Sequence, residues 1–182
     1  MCSSDLWRIL IPQQAYVFAG TLEDNLTYFK PAGKAELDEA AEAIGLTPVV
    51  TRLGGYGAAI VPAALSAGER QLIALTRAYL PPARVVILDE ATCHLDPAAE
   101  ERAEAAFARR GGTLIVIAHR ISSARRARRV LVLDGVRPQA GDHSSLLASS
   151  ASYADLAGHW DIARHHERAA VTPLRPAATP RA

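Results

Sequence analysis

The alternation of apolar and polar positions divides the chain into short segments. Residues 7–11, WRILI, form an apolar run stopped by Pro12 and read as a strand. After Gly20 and Thr21 comes a brief amphipathic segment, TLEDNLTYF. Residues 34–46, KAELDEAAEAIGL, are rich in Ala, Glu and Leu and close near Gly45, which predicts a helix. Residues 51–64 are rich in Gly and Ala and read as loop. A helix is expected to start after Ser66 and to end before Pro81-Pro82. The pattern then gives strand 84–89 (RVVILD), helix 97–110, strand 113–118 (TLIVIA) and a short helix near 122–127. Strand 129–134 (RVLVLD), a turn at Gly135 and a last amphipathic helix over 145–160 follow.

Three apolar, β-branched strands that alternate with helices predict an α/β fold, with a parallel sheet covered on both faces. Residues 20–80 lack such strands and read as an inserted helical subdomain. Residues 1–19 and 81–163 then form the two parts of the core domain. Residues 164–182 hold three prolines and four arginines without periodicity and are expected to be a disordered tail. Composition narrows the class only by exclusion. The net charge is +1, which gives no bulk electrostatic case for nucleic acid or a membrane surface. The arginines at 125, 126, 128 and 129 have no aromatic residues between them and read as a solvated helix face. Cys2 and Cys93 make neither a disulfide framework nor a metal cluster, which suggests a reducing compartment. His165-His166 lacks further ligands at useful spacing. The apolar runs are too short to span a bilayer, and MCSSDL carries no signal-peptide pattern.

Several segments carry candidate chemistry. In LSAGERQLIALTRAYL (65–80), Ser66 and Glu69 have the S-x-x-E spacing of a capping box. A helix start of that kind presents free N–H groups and a positive dipole end to an anion. VVILDE (85–90) is a strand ending in two acids, Asp89 and Glu90, where open α/β sheets bind ligands. One such carboxylate suits Mg²⁺ and the other suits deprotonation of a water. Taken alone, the pair reads equally as a strand end followed by a solvated acid. TLIVIAHR repeats the arrangement with His119. HLDP reads as an N-cap, with Asp96 ahead of Pro97. Gln13, in IPQQ, is by itself a loop glutamine.

In order, IPQQAYVFAGTLEDNL, LSAGERQLIALTRAYL, VVILDEATCHLD and TLIVIAHR strongly resemble the ATP-binding domain of ATP-binding-cassette (ABC) transporters. IPQQ looks like the Q-loop and LSAGE like the signature motif. VVILDE looks like the Walker B strand with its glutamate, CHLD like the D-loop, and His119 like the switch histidine. VFAGTLEDNL is similar to the exporter branch. The resemblance implies a P-loop NTPase-like sheet with flanking helices, and ATP and Mg²⁺ as ligands. It implies Glu90 as general base, Asp89 on Mg²⁺ through water, and His119 at the γ-phosphate. Gln13 would sense that site at the Mg²⁺-bound nucleotide and couple it to a membrane domain. Ser66 and Gly68 would contact ATP held by an opposite protomer, and Asp96 would act across the same interface. The implied partners are a second nucleotide-binding domain, identical or different, and a transmembrane domain, with no nucleic acid. The implied location is the cytoplasmic face of the plasma membrane.

The departures from the pattern are Ala67 for a usual glycine, Glu69 for a usual glutamine and Cys93-His94 for a usual Ser-Ala. The run before Ser66 also lacks the acidic stretch frequent in exporters. No G-x-x-x-x-G-K-S/T occurs in the chain, so the phosphate cradle is expected upstream. The chain is then expected to be a C-terminal part of a longer exporter, inactive alone and with part of its sheet uncovered. The alternative is a non-catalytic module whose signature face completes another subunit's ATP site. A soluble ABC ATPase would bring coiled-coil heptads or a second cassette, and neither is in this sequence.

Overall fold

The computed structural model describes residues 7–118, 120–133 and 137–158. The expectations for residues 1–6, the turn at Gly135 and the tail at 164–182 lie outside them. The backbone divides into two compact units between residues 119 and 120.

The first unit is built on three parallel strands in the order β1-β4-β5: β1 (Arg8–Ile11), β4 (Val85–Asp89) and β5 (Thr113–Ile117). Pairing runs Ile9 to Val86 to Leu114 and Ile11 to Leu88 to Val116. These residues form one face, and it carries the core. Against it pack Ala74, Leu75 and Ala78 of α4 (Ala67–Tyr79) and Ala103, Ala106 and Phe107 of α5 (Pro97–Arg109). The alternate residues point the other way. Leu10 is 58% exposed, Ile115 43% and Ile117 49%. The apolar pattern implied cover on both faces, but the described residues cover one well and leave a row of apolar side chains on the other.

A second cluster lies between β1 and β4 in sequence. Leu22 and Leu26 of α1 (Leu22–Leu26), Leu37 and Ala41 of α2 (Lys34–Ile44), and Val49 of α3 (Thr47–Leu53) meet Ile73 of α4. A two-residue antiparallel bridge joins β2 (Gly20–Thr21) to β3 (Ala59–Ile60). The expected loop at 51–64 is thus partly regular: the end of α3, then β3, then a 3-10 turn over Pro62–Ala64. The glycines drew attention to the break and hid the helix before it, which has Pro48 in its first turn and ends on left-handed Gly54.

Helix α4 is shared by both clusters. It buries Gln71 and every residue from Ile73 to Ala78. Arg77 is among them, and its burial lowers its pKa. Its guanidinium donates to the Asn25 carbonyl (2.6 Å), the Tyr16 carbonyl (3.0 Å) and Asn25 Oδ1 (3.1 Å). It also lies near the rings of Phe18 and Tyr28, at 5.6 and 5.9 Å from the centroids. Asn25, fully buried, holds both the N–H and the carbonyl of Phe18. A buried charge is tolerated here because its donors have oxygen partners.

The second unit holds α6 (Ile121–Arg126), β6 (Val130–Val132), β7 (Gln139–Gly141) and α7 (His143–Ser149). Ile121, Val132, Leu146, Tyr153 and Ala157 make its small core. Strand 129–134, expected in the parallel sheet, instead pairs antiparallel with β7. Its connection to β7 is short, and a parallel crossover needs a dozen or more residues. The helix expected over 145–160 starts at His143, capped by Asp142, and breaks at Ser150. A further helical stretch covers 151–158.

The two faces of the sheet should differ in sensitivity. Leu88→Ala is expected to cost about 3 kcal/mol, as for a buried leucine, and Ile115→Ala about 1 kcal/mol or less. Urea unfolding of the two variants beside the unaltered chain measures both.

Candidate functional site

The parallel strands β1 and β4 present their carboxyl ends at the same edge of the sheet. Pro12 and Gln13 follow β1 directly, and Gln13 is exposed. Asp89 is the last residue of β4, paired with Ile117 of β5, and is half-buried. Glu90 departs from the strand with φ +52°. A non-glycine residue held there costs about 1 kcal/mol or more, and such positions cluster at functional sites. The Glu90 N–H donates to the Ile117 carbonyl (2.9 Å), and its own carbonyl accepts from the Cys93 N–H (3.1 Å). The chain thereby turns sharply out of the sheet. It re-enters a helix at Asp96, whose Oδ1 accepts from the N–H groups of Ala98 (2.9 Å) and Ala99 (3.0 Å).

The start of α4 faces that turn. Ser66 caps the helix: its Oγ accepts from the Glu69 N–H (3.2 Å), and its own N–H donates to Glu69 Oε2 (2.8 Å). The capping box expected from the spacing is therefore formed. The other Glu69 oxygen pairs with Arg52 at the end of α3. The Ser66 N–H, first of all, and the Arg52 charge hold the Glu69 carboxyl below its ordinary pKa. Arg70 ties down the preceding loop by donating to the Leu65 carbonyl at 2.6 Å. A Cβ on Gly68 would stand 3.0 Å from the His94 carbonyl oxygen, so glycine lets α4 approach the turn after β4.

One residue that sequence reasoning passed over ties these parts together. Gln71 is 1% exposed. Its Oε1 accepts from the His94 N–H (2.9 Å), and its Nε2 lies 3.2 Å from Cys93 Sγ and 3.4 Å from the Gln13 carbonyl. Its signal was available, since it is an amide on the buried side of an amphipathic helix. Gln13, Ala67, Arg70, Gln71 and His94 line an open cleft of about 310 Å³. The structure thus gathers Gln13 and the turn after Glu90 around the start of α4 that carries Ser66 and Gly68. His119 lies outside the described residues. Among the described residues, no three His, Cys, Asp or Glu side chains converge in a metal-binding group. No described helix is long and apolar enough to cross a membrane.

The sequence profile of the ABC transporter family matches residues 8–93. The ABC transporter ATP-binding protein RamB of Streptomyces coelicolor is 62% identical over 155 residues. A multidrug efflux ATP-binding/permease protein of Mycobacterium bovis is 41% identical over 155 residues. A solved structure of a bacterial Atm1-family ABC exporter with ATP bound superposes with a TM-score of 0.77 at 31% identity. The chain belongs to the ABC transporter family. These matches take in 85%, 81% and 84% of the chain but only 26%, 13% and 28% of the three proteins. The chain therefore spans about a quarter or less of the ABC transporter chains it resembles. The family match contains the Q-loop-like, signature-like and Walker-B-like segments, and all three meet in the one compact unit.

The signature-like helix start should respond to pH. The Glu69 pKa is lowered on folding, so its stabilisation is full above the ordinary carboxylate pKa and is lost as pH falls through the folded value. Ser66→Ala is expected to cost about 1 kcal/mol at pH 7. The stability gap between the unaltered chain and Glu69→Gln should shrink as pH drops from 7 towards 3, read by urea unfolding at each pH.

Proposed function

We propose that this chain is the signature- and Walker-B-bearing part of the nucleotide-binding domain of an ABC exporter. In the intact protein it would hydrolyse ATP to drive export. The observation that carries this reading is Glu90, held in a left-handed turn at the carboxyl end of the central strand beside Asp89. In this reading Glu90 accepts a proton from the water whose oxygen attacks the γ-phosphorus. The bond to the bridging oxygen breaks, and ADP and inorganic phosphate leave. Asp89 would hold the Mg²⁺ of the MgATP substrate through water, and Gln13, in the loop after the neighbouring strand β1, would be a further ligand. A carboxylate and an amide oxygen at one sheet edge suit that hard cation. His119 contacts the γ-phosphate.

Ser66 and Gly68, at a capped helix start with free N–H groups, serve the nucleotide of an opposite protomer, and Asp96 acts at the same interface. The second nucleotide-binding domain is a copy of this one or a related chain. Residues 1–19 and 81–163 act as the catalytic core and 20–80 as the helical subdomain. The sequence holds no G-x-x-x-x-G-K-S/T, so the phosphate cradle comes from residues outside this chain. The apolar row Leu10, Ile115 and Ile117 suits cover by such a segment. The chain alone would then be inactive.

A membrane domain of the same transporter is the further partner, at the cytoplasmic face of the membrane. An aromatic ladder supports this. Tyr16, Phe18, Tyr28 and Phe29 meet one after another in tilted or edge-to-face pairs, at 5.2 to 6.3 Å between centroids, just past Gln13. Tyr16 and Tyr28 are exposed, and Arg77 and Asn25 fix the backbone beneath them.

The test is MgATP hydrolysis by the intact gene product in a reconstituted membrane. Glu90→Gln is expected to lower kcat by about a hundredfold or more, as for loss of a general base. Unaltered turnover in that variant would favour the non-catalytic module, which completes the ATP site of another subunit.

A further inference from the structure

Gln71 makes contacts that its place in the helix does not require. Its neighbours Ile73, Ala74 and Leu75 are apolar and buried. A polar side chain on that surface costs free energy unless its groups are satisfied. Here both ends of the amide are used. The carbonyl oxygen takes the His94 N–H, and the amino group faces the Gln13 carbonyl and Cys93 Sγ. One side chain thus spans three segments far apart in sequence: the loop after β1, the turn after β4, and α4 little more than a turn past its cap. Gly68 sets how closely α4 approaches the turn, because a Cβ there would stand only 3.0 Å from the His94 carbonyl oxygen. Gln71 sets the register of that approach. The Cys93 N–H in turn holds the Glu90 carbonyl, so a shift of residues 93–94 passes to the backbone of Glu90.

We propose that Gln71 is a positioning residue for ATP hydrolysis, orienting the Gln13 loop and the Glu90 turn together against the start of α4. This rests on the functional reading above. It predicts a separation of kinetic effects. The partners of Gln71 are the Gln13 carbonyl, Cys93 Sγ and the His94 N–H, none of them a candidate ATP-contacting side chain. Loss of Gln71 should misplace the reacting groups and leave nucleotide affinity nearly intact.

The experiment uses Gln71→Met and Gln71→Leu in the intact protein. Methionine keeps the length and volume of the side chain and removes the amide, so folding should be preserved. The expected result is a fall in kcat of roughly ten- to a hundredfold, as for misplaced reacting groups, with KM for MgATP within about twofold. Amide hydrogen exchange over residues 91–96 should quicken while exchange over β4 stays unchanged. Thermal midpoints are recorded so that activities are compared at equal folded fraction. Unchanged kcat in Gln71→Met, or a loss that only follows the folded fraction, would overturn the proposal. So would a rise in KM at constant kcat. If the unaltered protein hydrolyses no ATP, or Glu90→Gln is fully active, the functional reading fails and this inference fails with it. Normal hydrolysis that needs Glu90 but ignores Gln71 defeats this inference alone.

Discussion

The first unit depends on the burial of α4 from two sides. Leu75 and Ala78 join the core under the sheet, and Ile73 joins the core of the helical segment. A helix apolar on one stripe can serve one layer. This one is buried over six consecutive residues, Ile73–Ala78, and so holds two layers in register. Arg77 extends the clamp by hydrogen bonding back to Tyr16 and Asn25. The capped end of the same helix is consequently delivered to the edge of the sheet, where Asp89 and Glu90 emerge.

That edge is crowded for a physical reason. Parallel strands all finish on one side, so the loops after β1 and β4 are neighbours although Gln13 and Asp89 are 76 positions apart in the sequence. The Glu90 turn leaves the sheet in a conformation that L-residues rarely adopt, and hydrogen bonds at both of its backbone groups hold it there. The polar contacts of Gln71 and the bare Cα of Gly68 let the start of α4 approach the turn without a clash.

The departures of this chain from its family pattern also have local explanations. Glu69 does not project a free charge towards the helix start. One oxygen completes the box with Ser66, and the other meets Arg52. Ala67, where a glycine is usual, sits in the first turn and lines the cleft without disturbing the cap. The His94 N–H is held by Gln71 Oε1, and Cys93 meets Gln71 Nε2 through its Sγ and the Glu90 carbonyl through its N–H.

Local rules determined a good deal of this protein from sequence alone. Ser66 with Glu69, Asp96 with Pro97, and the stops at Gly45 and Pro81 are decided within one helical turn, and those elements stand where the pattern put them. The ordered segments from IPQQ to VVILDE also sufficed to name the family. Partner choice was beyond them. An apolar run such as RVLVLD states that a strand wants cover, but not which strand it will pair with. A short connection settled that in favour of β7. The partners of Gln71 and Arg77 were hidden for a related reason. A polar side chain on an apolar face becomes intelligible only when its partners arrive from distant parts of the chain. Tertiary structure decided which oxygens and N–H groups those were, because hydrogen bonds act over about 3 Å and are blind to separation along the sequence.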